Sequence, residues 1–325
     1  MPLISIITTT YNHQDFIAQT IESHLSQSFT DWELLIGDDS PDDKTRTIIQ
    51  QYVNKYPDKI KARNHSPNKW LQENMNFLFT QINPKSQYVA FLEGDDMYDP
   101  DNLAHKLSIF EEDETIDCVY SHYRLIDDHG QRISWSPEHL AYQWKKQRTI
   151  QELLAIGNPI HSFGSMMLTK NKAEQIFPLS TPPQWSEKMF GPLDYWTWTR
   201  LLPECVSYWL DEPLLIYRKQ ANNYTKQVSL FNKQLEYIYR HYQRLYSRDQ
   251  EIVRICDQFI VMNEVIGRMM DWKWSLHYRR TQKKHLPWYI LQGKMLIYTL
   301  LGHLPRWLFT ILYQWRISKK YIIQE

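Results

Sequence analysis

Asp95 and Asp96 sit side by side directly after a short apolar run, Tyr88-Val-Ala-Phe-Leu92, with Pro100 four positions further on. The run reads as a strand, and Pro100 suits the first turn of a following helix. Two adjacent carboxylates are thereby delivered to the carboxyl edge of a sheet, where ligands of open α/β folds bind. Charges so close repel each other unless a hard cation or a shared proton relieves them, which makes a metal-diphosphate site one reading of the pair. The other is an Asp-rich turn that caps the next helix. A second acidic turn, Gly37-Asp38-Asp39-Ser40, ends the run Trp32-Glu-Leu-Leu-Ile36. Asp194 opens Leu193-Asp-Tyr-Trp-Thr-Trp-Thr-Arg-Leu201, a short helix in which an aspartate is ordinarily a cap.

The elements that position these acids follow from periodicity. Leu3-Ile-Ser-Ile-Ile7 is a buried-strand run, Thr8 to Asn12 a polar loop, and Ile17, Ile21 and Leu25 recur at helical spacing. After the Trp32 strand, Ile48, Ile49, Tyr52, Val53 and Tyr56 mark a second helix, Ile60 to Arg63 a third strand and Leu71 to Gln81 a third helix. Strands alternating with helices predict an α/β domain with a mostly parallel, helix-flanked sheet. The sheet should then become mixed, because Asp117 to Ile126 and Gln131 to Trp135 flank the hairpin-like turn Asp127-Asp-His-Gly130. A helix is expected from Thr149 to Ile156, a strand at Val206 to Leu210, and a loop from Asp211 to Asn223.

What is missing narrows the chemistry. Neither a Gly-x-Gly-x-x-Gly turn nor a Gly-rich loop ending in Lys and Ser or Thr follows the first strand, and the chain has only nine glycines. Dinucleotide-dependent dehydrogenases and phosphate-loop enzymes fit poorly. A nucleotide still has partners in Tyr11, an aromatic face for a base, and Asp39, an acceptor for an imide N–H. Cys118, Cys205 and Cys256 are odd in number and lack metal-ligand spacing, which fits reduced thiols in a cytoplasmic setting, and polar residues from Thr8 come too early for a signal peptide.

Ile4-Ser-Ile-Ile-Thr-Thr-Thr-Tyr-Asn12, Ser26-Gln-Ser-Phe-Thr-Asp-Trp-Glu-Leu-Leu-Ile-Gly-Asp-Asp-Ser40 and Leu92-Glu-Gly-Asp-Asp-Met-Tyr-Asp-Pro100, in this order and spacing, resemble family 2 inverting glycosyltransferases with the GT-A fold. The resemblance covers about residues 1 to 225 and leaves 226 to 325 as a helical C-terminal appendage. It implies a nucleotide-sugar donor, with a UDP-sugar preferred, and a glycan or lipid-linked acceptor. Thr9, Tyr11 and Asp39 are then expected to hold base and ribose, Asp95 to contact ribose or sugar, and Asp96 to bind Mg²⁺ or Mn²⁺. Asp194, six residues before Arg200, resembles the family's catalytic base. An inverting transfer is one displacement, so a single base suffices, and a divalent ion supplies charge stabilisation to the departing diphosphate.

Two positions depart from the family pattern: Leu193 stands where Glu is common, and Gln220 where His precedes an Asn, here Asn223. Arg218 and Lys219 are candidates to pair with diphosphate oxygens. His161 carries a weaker expectation, since a lone histidine is usually structural. These departures keep a catalytically weak scaffold protein in view, beside a nucleotidyltransferase on a related fold.

The formal charge of zero hides an asymmetry. From Asp271 onward ten basic residues face two acidic ones, net +8, which leaves −8 for the rest. The stripe Trp307, Leu308, Ile311, Leu312 and Trp315, flanked by Arg306 and Arg316, predicts an interfacial helix that holds the enzyme peripherally at the cytoplasmic membrane face. The alternative is a helix pair packed on the protein's own core or in a homo-oligomer. The acidic body and the lack of a recognised motif argue against nucleic acid.

Overall fold

The computed structural model describes residues 2–135, 147–158, 160, 162–182, 192–220, 228–261 and 263. Its parallel half is built from β1 (Ile4–Thr10), β2 (Trp32–Asp38), β3 (Ile60–Asn64) and β4 (Tyr88–Glu93), joined through α1 (Ile17–Leu25), α2 (Asp43–Lys55) and α3 (Trp70–Phe79). Strand order is β3-β2-β1-β4 with every pairing parallel. A two-residue strand, β5 (Met97–Tyr98), and α4 (Asn102–Glu112) follow. The mixed half comprises β6 (Cys118–Ile126), β7 (Arg132–Trp135), β8 (Met166–Thr169) and β9 (Ser207–Arg218). There β8 runs antiparallel to both β4 and β6, β9 parallel to β6, and β7 and β5 pair antiparallel with β6 and β9.

Side chains alternate between two cores with the period of two that a pleat dictates. Ile7, Leu35, Val89, Phe91, Cys118, Tyr120, Met166 and Leu168 face one, while Ile4, Ile6, Leu34, Ile36, Ala90, Leu92, Val119 and Met167 face the other. Helices α1 and α2 cover the second with Ile17, Ile21 and Ile49, and α4 adds Leu103 and Leu107. The first core is closed by Met75 and Leu78 of α3 and by α5 (Ile150–Ile156), α7 (Leu193–Leu201) and α8 (Val228–Leu245). Each fully buried Ile or Leu gains roughly 1.5–3 kcal/mol, so the alternation fixes the register. A further short helix, α6 (Lys170–Ile176), follows β8. Thr149 caps α5 reciprocally, its hydroxyl accepting from the Glu152 N–H and the Glu152 carboxylate from the Thr149 N–H.

One compact unit spans Met1–Ile260, in which α8 and the helical residues 250–261 bring Ile238, Tyr239, Tyr242, Ile252 and Cys256 into the first core against Leu153, Tyr195 and Trp196. One expectation needs correction. Asp211 to Arg218 is strand, not loop: β9 continues past Leu210 because Leu214 and Leu215 are again buried. A second unit spans Val261–Glu325, of which only positions 261 and 263 are described, so the Trp307 to Trp315 stripe lies outside the described residues, as do His161 and Asn223. Among the described residues no helix is long and apolar enough to cross a membrane.

Candidate active site

The carboxyl ends of β1, β2 and β4 meet at one edge. Backbone bonds tie them: Asp39 N–H donates to the Thr10 carbonyl (3.0 Å) and Gly94 N–H to the Thr9 carbonyl (2.9 Å). Gly94 is required where the strands approach, since a Cβ there would lie 2.6 Å from Thr10 Cβ. The loop after β1 is clipped to the loop after β2, because Asn12 N–H donates to Ser40 Oγ at 2.9 Å and Ser40 N–H to Asp38 Oδ1 at 2.9 Å. Thr9 is half-buried and shares a small pocket with Glu93, Met75 and Phe163, whereas Tyr11 is 49% exposed and presents its ring at the rim.

Asp39 is buried and doubly held. Its Oδ1 accepts the Lys69 N–H (2.9 Å) and its Oδ2 accepts from Asn74 Nδ2 (3.0 Å). Burial raises its pKa, an effect opposed by those two donors and by His65. Each oxygen retains a second lone pair for a ligand N–H.

The β4 end is built differently. Asp96 is 1% exposed; Oδ1 accepts the Arg218 N–H at 2.8 Å, and Oδ2 is buried without a hydrogen-bond partner. Burial and then the charges of Asp95 and Glu93 hold its carboxyl well above the usual carboxylate range. Glu93 Oε2 likewise lacks a partner, and burial, reinforced by Asp95 and Asp194, pushes this acid to about 7. Asp95 is half-buried and accepts from Gln220 Nε2 on Oδ2 at 2.6 Å. Among the described residues no three His, Cys, Asp or Glu side chains converge as a ready-made cage. A partnerless buried oxygen and mutually repelling acids nonetheless fit a hard cation whose remaining ligands come from water and phosphate.

Arg218 departs from expectation. It is buried, donating from Nε to the Asp95 carbonyl (2.9 Å), from Nη1 to the Asp127 carbonyl (3.1 Å) and from Nη2 to Gln19 Oε1 (2.6 Å), with its guanidinium over the Phe16 ring. A guanidinium so enclosed clamps the acidic turn through the Asp95 and Asp127 carbonyls. Lys219 is exposed at the end of β9, and its backbone N–H donates to the Ile126 carbonyl.

Asp194 lies in the first turn of α7, whose cap is Pro192. Its Oδ1 accepts the Tyr195 N–H and its Oδ2 accepts from Asn158 Nδ2, both at 2.7 Å. Burial lifts its pKa to about 6 against these two bonds. The charge of Asp194 adds a smaller upward push to Glu93. Arg200, at the opposite end of α7, bonds Ser180 Oγ (2.6 Å) and takes no part. Glu93, Asn74 and Asn158 escaped the sequence reading; Glu93 alone had a signal, as an acid closing the strand two positions before Asp95.

Residues 5–177 match the model of "Glycosyl transferase family 2". TuaG of Bacillus subtilis (strain 168), named for teichuronic acid biosynthesis, is 29% identical over 255 residues, 75% of this chain and 90% of that protein. Among solved structures, S. aureus TarS 1-349 in complex with UDP-GlcNAc aligns with TM-score 0.54 at 17% identity, over 80% of this chain and 70% of that one. The mannosyltransferase PcManGT from Pyrobaculum calidifontis, with GDP-Man and Mn²⁺, aligns with TM-score 0.61 at 14% identity, over 99% and 85%. The sheet and its flanking helices are of the GT-A type. With the family model spanning more than half its length, the chain belongs to glycosyl transferase family 2 and is a glycosyltransferase.

Proposed function

We propose that the protein transfers a sugar, with inversion, from a nucleotide-sugar donor to a hydroxyl of a growing glycan or lipid-linked acceptor. The observation that carries this reading is that Asp39 and the Glu93 to Asp96 acids stand at the carboxyl ends of β2 and β4, on either side of β1, with Asp194 at the start of α7 taken as the base. Asp39 offers acceptors to a base and Tyr11 an exposed ring beside it. Asp194, raised to about 6, is ionised near neutrality yet basic enough to take a proton from an acceptor hydroxyl. A single displacement needs no second nucleophilic carboxylate. UDP-GlcNAc in TarS and the name of TuaG support a nucleotide-sugar donor and a glycan acceptor.

Asp96 is the proposed metal contact through its unpartnered Oδ2, its Oδ1 being held by the Arg218 backbone, while the more accessible Asp95 beside it faces ribose or sugar. Mg²⁺ or Mn²⁺ bound there supplies Lewis-acid neutralisation of the leaving diphosphate, and the Mn²⁺ of PcManGT supports that choice. Gln220 steadies Asp95 as a neutral donor and Arg218 fixes the backbone beneath it. The tail, net +8, is assigned to an anionic membrane surface; co-sedimentation of the full chain with anionic liposomes at low salt checks that assignment, and failure to co-sediment removes it.

A thermal-shift screen of UDP-, GDP- and dTDP-sugars, each with and without Mn²⁺, tests the donor reading. Stabilisation by one nucleotide sugar, stronger with the ion, is expected. Stabilisation by none of them, or release of pyrophosphate instead of nucleoside diphosphate during turnover, would overturn it.

A further inference from the structure

Asn74 is wholly buried on α3, and both hydrogens of its amide are committed, one to Asp39 Oδ2 and one to the Gly37 carbonyl, each at 3.0 Å. Its oxygen is therefore an acceptor, and it lies 3.2 Å from His65 Nε2. That geometry fixes the histidine tautomer, since Nε2 must carry the proton it donates. His65 is itself buried, packs edge-on against Phe77 with centroids 5.0 Å apart, and is tied through its backbone N–H to the Asp38 carbonyl. Gly37 completes the seat: a Cβ there would fall 1.8 Å from Asn74 Oδ1, so any side chain would expel the amide. The whole relay terminates on one carboxylate rotamer.

We infer that Asn74, oriented by His65 and admitted by Gly37, is a positioning residue for base selection. Resting on the reading of Asp39 as the base contact, it holds that carboxylate as a fixed acceptor, so that bases presenting an imide N–H (uracil, thymine, guanine) are taken and those presenting a ring-nitrogen acceptor there (cytosine, adenine) are refused. The physical reason is an asymmetry of cost. A carboxylate free to rotate tolerates either base, whereas one held on both oxygens cannot withdraw from a base lone pair. Lys69 N–H alone would leave Asp39 anchored on a single oxygen.

Calorimetric titration of the full chain with UDP, dTDP, GDP, CDP and ADP tests the relay. In the wild type the tightest imide nucleotide should bind at least about tenfold better than CDP or ADP, the scale of one well-made polar contact. Asn74→Ala should bring that ratio close to one. Hydrolysis of the matching nucleotide sugar at saturating donor should change by less than about threefold, a loss in KM and not in kcat. His65→Leu, a milder change that leaves α3 and Asp39 untouched, should move the ratio the same way and keeps the test open if Asn74→Ala does not fold. An unchanged ratio in either folded variant, with only a lower Tm, would overturn the inference and leave Asn74 a packing residue. Asp39→Asn separates the two levels: if it also leaves the ratio unchanged, the base site itself is misplaced, and if it abolishes the ratio while Asn74→Ala and His65→Leu do not, only the relay fails.

Discussion

The carboxylates of Asp39, just after β2, and Asp96, just after β4, lie at the carboxyl ends of one sheet and are both buried, yet their oxygens are treated in opposite ways. At β2 every oxygen of Asp39 has a donor, and the amide that supplies one of them is itself fully bonded. At β4 an oxygen of Asp96 and one of Glu93 have none, and burial together with the neighbouring Asp95 charge raises both acids. Satisfied groups make a rigid reader. Unsatisfied ones make a place where a cation is worth more than it would be in water, because leaving buried acids unpaired is costly. Glu33 shows that the sheet can bury an acid without tension: it accepts from Ser5 Oγ, the Asn83 N–H and Lys61 Nζ.

The contrast extends to Asp194, and here the largest effect is expected. Asp194→Asn keeps the shape and the Tyr195 N–H bond but removes the base, so turnover should fall about 10²–10⁴-fold while donor affinity stays nearly intact. Steady-state kinetics beside titration calorimetry checks this, and unchanged turnover would remove Asp194 from the mechanism.

The two kinds of buried acid should also respond oppositely to neutralisation. A carboxyl whose folded value is raised, as in Asp96, weakens the fold as pH climbs from its unfolded value through its folded one. Without metal or donor, Asp96→Asn should therefore raise Tm at pH 7, by roughly 2–4 °C for each kcal/mol relieved. Glu33→Gln should lower it, since Lys61 loses its partner and an amide nitrogen now faces donors. Matching signs in differential scanning calorimetry would break the comparison.

A sharper version concerns pH. With Asp194 titrating at about 6, kcat/KM should fall about tenfold per unit as pH drops below that value. Asn158 donates to the ionised form, so Asn158→Ala should move this acid limb to higher pH. A limb that stays in place would mean that Asn158 does not face the working carboxylate. The smallest effect belongs to the support: Thr149→Ala removes the cap of α5, which leads through Gly157 to Asn158, and should cost about 1 kcal/mol without altering nucleotide affinity. Denaturant midpoints and calorimetry separate those two readouts.

The parallel half was legible because its rules are local. Largely apolar runs of five residues, followed by Thr8, Gly37 and Glu93, located β1, β2 and β4 and the polar residues at their ends. Asp39 and Asp95 follow β2 and β4 closely, at the carboxyl ends of parallel strands. What escaped was decided by distance in sequence. Arg218 reads as a free cation beside Lys219, and only the pairing of β9 with β6, followed by the turn at Asp127, turns it inward onto Asp95 and Gln19. Asn74 reaches Asp39 across 35 residues and Asn158 reaches Asp194 across 36, contacts that no periodicity announces. The packing of α8 escaped for the same reason, because Tyr239 and Tyr242 show helical spacing whether they cover this core or another.

Inversion by single displacement is the central claim, and it can be read without knowing the acceptor. The full chain is supplied with Mn²⁺ and the nucleotide sugar that stabilises it most, and the anomeric protons are followed by NMR from the first minutes of slow donor hydrolysis. The inverted anomer should accumulate first, ahead of mutarotation, alongside nucleoside diphosphate. First appearance of the retained anomer would contradict the mechanism drawn from Asp194 and the β4 acids.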